Sequence, residues 1–87
     1  MKRQKVKIIN TTGLHLRAAD LMCKTAMQFQ STVTFETGTI TTNAKSVLGM
    51  LGAGVKQGDE LEFICDGEDE VVALETMVNL VESGLGE

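Results

Sequence analysis

The sequence predicts an α+β fold, an open-faced β-sandwich in which a four-stranded antiparallel sheet is covered on one face by three helices. Three observations lead there. Several short segments alternate polar and apolar residues, as strands with one buried face do. Two longer segments repeat apolar residues at helical spacing, and no linker, repeat or low-complexity stretch separates any of these pieces. Strands with one apolar face and helices with one apolar stripe satisfy each other as a helix layer on one side of an antiparallel sheet. The expected order is β-α-β-β-α-β-α, with residues 1–87 forming one domain.

The first strand is Lys5-Val6-Lys7-Ile8-Ile9, with Val6 and Ile8 facing inward, and Asn10-Thr11-Thr12-Gly13 breaks it. From His15 to Phe29 the period becomes helical, and Ala19, Met22, Cys23, Ala26 and Phe29 form the stripe while Asp20, Lys24 and Gln28 point away. Thr32 to Glu36 and Thr39 to Thr42 are β-branched runs around Thr37-Gly38, a hairpin with Val33, Phe35 and Ile40 inward. Ser46 to Gly52 is a short helix that begins with a capping residue and is weakened by glycine. Glu60 to Cys65 alternates again, burying Leu61, Phe63 and Cys65 before Asp66-Gly67. The last helix, about Glu70 to Ser83, carries Ala73, Leu74, Met77, Val78 and Val81 on one stripe, with acids in its first turn.

Composition narrows the function. Eighty-seven residues at 43% apolar content support a modest core but not a large buried cleft as well, which suits a carrier or binding module better than an enzyme. The net charge of −4, and three phenylalanines at positions that read as buried, argue against nucleic acid as the main partner. Lys2, Arg3, Lys5 and Lys7 read as the solvated face of a strand. No signal peptide or membrane-length apolar run is recognisable, so a cytoplasmic protein without membrane insertion is expected. Cys23 and Cys65 lack metal-ligand or redox spacing and read as buried, reduced thiols; no metal or cofactor is expected.

His15 is the one histidine, and it falls where the first strand gives way to the first helix. A neutral imidazole nitrogen is a nucleophile near pH 7, and the start of a helix offers unpaired N–H groups to an anion. The backbone N–H groups of Leu16, Arg17 and Ala18 are therefore candidate phosphoryl ligands, and the Arg17 guanidinium a candidate electrostatic partner. The plainer alternative is a helix-capping histidine beside a surface arginine. Ser46 caps the short helix by type, and a phosphate placed there would be electrostatically tolerated. Val47, Leu48, Met50 and Leu51 are too many apolar residues for one inner face, so part of this group is expected to form an exposed docking patch, with Met50 adaptable to several partners.

With the order of elements, Gly13-Leu14-His15 with Arg17, and Asn43-Ala44-Lys45-Ser46 running into Val47-Leu48-Gly49-Met50, the chain resembles the HPr family, the histidine-containing phosphocarriers of the bacterial phosphotransferase system. Gly67-Glu68-Asp69-Glu70 is similar to the family's entry into its last helix. The resemblance covers essentially the whole chain. It implies phosphorylation of His15 at Nδ1 by phosphorylated enzyme I, transfer to downstream phosphotransferase proteins, and modification of Ser46 by HPr kinase/phosphorylase. It also implies docking of these partners on Val47, Leu48, Met50 and Leu51, with Arg17, Lys24 and Lys45 supplying local positive charge, and a monomer is the default state. Two positions depart from the family pattern: Leu16 stands where a small residue is usual, and Ala18 where proline is usual. Leu16 either widens the apolar contact surface or is an ordinary exposed leucine. A second reading is a regulatory module signalling through phospho-Ser46 or phospho-His15 without sugar transport; an enzyme on small molecules has no nucleophile–base pair, metal cluster or P-loop behind it.

Overall fold

The computed structural model describes residues 1–87. Its elements follow the expected order: β1 (Lys2–Lys7), α1 (Leu16–Ala26), β2 (Thr32–Thr37), β3 (Ile40–Asn43), α2 (Val47–Gly52), β4 (Glu60–Asp66) and α3 (Glu70–Glu82). The strands form one antiparallel sheet in the order β1-β4-β2-β3. One face of the sheet carries the helices and the core. On the open face Arg3 bridges Glu36 and Glu62, at 3.1 Å each.

The alternation that predicts the strands also sets their register. Phe35 of β2 sits opposite Phe63 of β4, both fully buried, with rings edge-to-face at 5.9 Å between centroids. Val33 pairs with Cys65 and Val6 with Leu61, so the inward set of each strand meets the inward set of the next. A one-residue slip would turn all of them to solvent. The helices close this layer with Ala18, Ala19, Met22 and Ala26 from α1, Met50 from α2, and Ala73, Met77, Val78 and Val81 from α3.

Several expectations need correction. β1 begins at Lys2 and ends at Lys7; Ile8 is buried just beyond it, its N–H donating to the Asp59 carbonyl at 2.9 Å. Ile40 is 45% exposed rather than inward, because it pairs with Thr37 beside the turn and the helix layer does not reach the hairpin tip. Thr42, two residues on and opposite Phe35, takes the buried place. Cys23 and Phe29 pack only partly against the core, and Phe29 lies beyond the end of α1 at Ala26. Asp69, at the N-cap of α3, does not cap its own helix. Its carboxylate instead accepts from the Gln30 and Ser31 N–H groups at 2.9 Å and from the Ser31 hydroxyl, tying the α1–β2 loop to the start of α3. The Ser31 hydroxyl first, then the Gln30 N–H, lowers the Asp69 pKa.

Candidate functional site

His15 is the N-cap of α1, in extended conformation and exposed to solvent. Its place is set by the turn before it. The buried Asn10 side chain donates to the Gly13 carbonyl at 2.6 Å, and Leu14 N–H donates to the Val55 carbonyl at 3.1 Å, pinning the loop to the segment after α2. Gly13 has φ +63°, and a Cβ there would meet the Val55 oxygen at 2.7 Å, so glycine is required by both backbone and space.

The capping and nucleophilic readings of His15 meet in one atom. Nδ1 accepts the Arg17 N–H at 3.1 Å, so Nδ1 carries the ring's lone pair and faces the helix start. The N–H groups of Leu16 and Ala18 have no acceptor, the usual state of a first helical turn. The Arg17 guanidinium makes no ion pair. Unpaired N–H groups and the positive end of α1 thus lie beside Nδ1, and Arg17, whose guanidinium is unpaired, lines the same cleft as His15. Thr12, His15, Arg17, Leu85, Gly86 and Glu87 line a shallow cleft of about 200 Å³ at this point. A second cleft, on the open sheet face among Lys5, Glu36, Glu60 and Glu62, contains none of these groups.

Ser46 is the N-cap of α2, and its Oγ accepts the Gly49 N–H at 3.1 Å. Lys45 Nζ donates to the Phe29 carbonyl at 2.8 Å, just beyond the end of α1, whereas the far end of α2 leads to Val55 beside the His15 loop. The two helices are thus antiparallel neighbours, with His15 at one end of the pair and Ser46 at the other. The patch between them differs from expectation at Met50. Met50 is fully buried, so it is core and not a docking residue. In a six-residue helix the i, i+3 pair Val47 and Met50 turns inward, and the pair Leu48 and Leu51 turns outward. Val47 is half-buried against the core, Leu48 is 83% exposed, and Leu51 is exposed. Leu16, 64% exposed next to His15, extends the apolar surface. Lys24 remains exposed while paired with Asp20 at 3.0 Å, and Lys45 is spent partly on the Phe29 carbonyl.

The sequence reading missed one wall of the cleft. The Glu87 carboxylate accepts from the Thr11 N–H at 2.9 Å, the Thr11 hydroxyl at 2.8 Å and the Thr12 hydroxyl at 3.0 Å. Those bonds, the Thr11 N–H foremost, pull its pKa down to about 2. Gly84-Leu85-Gly86 following a helix is the local signal that could have revealed a turn back toward the cleft.

The fold thus presents a solvent-facing histidine at a helix start, with unpaired N–H groups beside its ring nitrogen. Residues 2–83 match the family described as PTS-HPr, PTS HPr component phosphorylation site, and the chain belongs to that family. It is 34% identical over 87 residues to the phosphocarrier protein HPr of Neisseria meningitidis serogroup A, covering 100% of this chain and 98% of that protein. It is 39% identical over 82 residues to the HPr-like protein Crh of Bacillus subtilis, covering 94% and 96%. Among solved structures, that of HPr-C-His from Thermoanaerobacter tengcongensis superposes with a TM-score of 0.96 at 40% identity, covering 100% of this chain and 98% of that one.

Proposed function

We propose that this chain is a phosphocarrier that takes a phosphoryl group from phosphorylated enzyme I on His15 Nδ1 and passes it to downstream phosphotransferase proteins. In loading, the Nδ1 lone pair attacks phosphorus, the Nδ1–P bond forms, and the bond from phosphorus to its enzyme I donor breaks with its electron pair left on the donor. Unloading runs the same way toward the acceptor. The observation that carries this reading is the orientation of Nδ1. Its lone pair points at the Arg17 N–H, so the phosphoryl oxygens arrive where the Leu16, Arg17 and Ala18 N–H groups and the Arg17 guanidinium can receive them. Cradling by a few donors in an open cleft stabilises the dianion without enclosing it, which suits a group that must leave again.

Partners dock, in this reading, on Leu16, Leu48 and Leu51, with the half-buried Val47 at the edge and Arg17, Lys24 and Lys45 around them. Exposed apolar anchors, with the unpaired Arg17 guanidinium on the residue next to Leu16, favour partners with an apolar pocket and acidic groups at its edge. Ser46 is the regulatory site for HPr kinase/phosphorylase: its hydroxyl is partly exposed, and added phosphate would lie at the start of α2 beside Leu48. Family membership supports a cytoplasmic location. Similarity to Crh supports the alternative of a mainly regulatory module.

Intact-mass analysis after incubation with phosphoenolpyruvate and enzyme I tests the carrier reading. One acid-labile phosphate, absent from His15→Ala, is expected; no mass gain, or a gain that survives in His15→Ala, would overturn it. An acid-stable phosphate that forms only with ATP and the kinase, and is lost in Ser46→Ala, is the result expected for regulation.

A further inference from the structure

Helix α3 carries more apolar surface than the core uses. Ala73, Met77, Val78 and Val81 are buried, yet Val71 and Val72 on its outer side are 53% and 50% exposed. A β-branched residue is a poor helix former, and at an exposed position it gains no packing in return. The charges around this pair are of one sign. Every lysine and arginine of the chain lies at or before Lys56, and from Asp66 onward every charged side chain is an acid. Asp69 holds the Gln30 and Ser31 N–H groups and Glu70 the Gly67 N–H at 3.1 Å, but Glu68, Glu75 and Glu82 are exposed and without an ion pair. Glu75 stands one helical turn from both valines, at i+4 and i+3, and Glu82 lies two turns further along the same side. Glu82 also occupies the last turn of α3, which contains no base, where the negative end of the helix dipole disfavours it.

This surface is separate from the one that carries His15 and Leu48. α3 packs over β1 and β4, whereas α2 packs on β3, at the other edge of the sheet. Asp69 fastens the start of α3 to the loop beyond the end of α1, while His15 lies at the start of α1. Exposed branched side chains among unpaired acids repel nucleic acid and anionic membranes and complement a basic protein surface. The row from Val71 to Glu82 runs straight for about 16 Å, three turns that a second helix laid alongside can follow. We propose that the outer face of α3 is a second docking surface, whose occupant is a lysine- and arginine-rich amphipathic helix of a partner protein. Its apolar side rests on Val71 and Val72, and its bases face Glu68, Glu75 and Glu82. Bases set beside Glu82 offset that residue's unfavourable place on the dipole. The two faces of the molecule then select partners of opposite charge, since the unpaired Arg17 guanidinium favours acidic ones.

The test uses the full chain and two synthetic amphipathic helices of one pattern, the first of leucine and lysine, the second of leucine and glutamate. In ¹H–¹⁵N spectra the lysine helix should move the Val71, Val72, Glu75 and Asn79 amide signals and leave those of Leu48 and Leu51 in place. The glutamate helix should move neither set. Val72→Ser should weaken binding of the lysine helix about 5–30-fold, as loss of an anchor does, and Glu75→Gln about two- to fivefold. Both positions are exposed, so the variants should unfold like the parent. Glu60→Gln, an equal change of charge at an exposed position on β4, should bind like the unaltered chain. Shifts centred on Leu48 and Leu51, equal affinity for the two helices, or equal losses in Glu60→Gln and Glu75→Gln would overturn the α3 surface and leave the carrier reading standing. A chain that binds the lysine helix on α3 but takes no phosphate on His15 would support this surface and overturn the carrier reading alone.

Discussion

Two apolar residues of α2, two positions apart, should fail in opposite ways when cut back to alanine. Met50 is fully buried in the core, and Leu48 is 83% exposed on the proposed docking face. Met50→Ala removes buried atoms that the short, glycine-containing helix cannot fully close over, at a cost of about 2–5 kcal/mol. A chain of this length has roughly 4–13 kcal/mol of stability in total. At about 4–8 °C per kcal/mol, the melting temperature should drop by roughly 8–40 °C. Leu48→Ala loses no core contact and places a better helix former on the surface, so its stability should stay within about 0.5 kcal/mol of the parent. As an interface anchor Leu48 should instead cost about 1–2 kcal/mol of binding, a loss of about 5–30-fold in affinity for enzyme I. Thermal unfolding followed by circular dichroism, with calorimetric titration against enzyme I below both melting points, separates the two. Equal melting temperatures, or a Leu48→Ala chain that binds like the parent, would refute the assignment of the inner and outer faces of α2.

Gly13→Ala should destabilise by about 2 kcal/mol or more, because its Cβ meets the Val55 oxygen and φ is positive; Gly38→Ala, with positive φ but open space, should cost about 1 kcal/mol. Urea denaturation compares them, and equal costs would contradict the packing described at Gly13. The Glu87 carboxylate titrates at about 2 in the folded chain against an ordinary 4.5, so its contribution to stability is complete above about 4.5 and is lost as pH falls through about 2. Melting temperatures measured from pH 6 to pH 2 should therefore fall less steeply for Glu87→Gln than for the parent; superimposable profiles would contradict that. Ala18→Pro removes an unpaired N–H from the cradle and restricts the backbone, so it should slow loading of His15 by about two- to fivefold and raise stability by about 0.4–1 kcal/mol. Stopped-flow phosphorylation and urea unfolding that both match the parent would sink this reading.

The strands were legible because each buries one face only, so Val33, Phe35, Leu61, Phe63 and Cys65 mark both their period and their inward side. The placement of His15 at the start of α1 was legible because the alternating opening segment gives way to helical spacing there. Met50 was not, because Val47/Met50 and Leu48/Leu51 are two equivalent i, i+3 pairs; only the docking of α2 beside α1 selects which faces inward. Ile40 was misplaced for a similar reason. Alternation gives the side of the sheet but not how far the helix cover extends along it. The Glu87 clamp and the Lys45 bond to the Phe29 carbonyl join residues far apart in sequence, and neither side of such a pair carries a local pattern.

The central claim, that the ring nitrogen facing α1 carries the phosphoryl group, is tested most directly by long-range ¹H–¹⁵N correlation of the His15 imidazole before and after loading. Phosphorylation should change the Nδ1 resonance into that of a substituted, phosphorus-coupled nitrogen and leave Nε2 bearing a proton. Coupling of phosphorus to Nε2, or an imidazole unchanged while the protein gains phosphate, would contradict it.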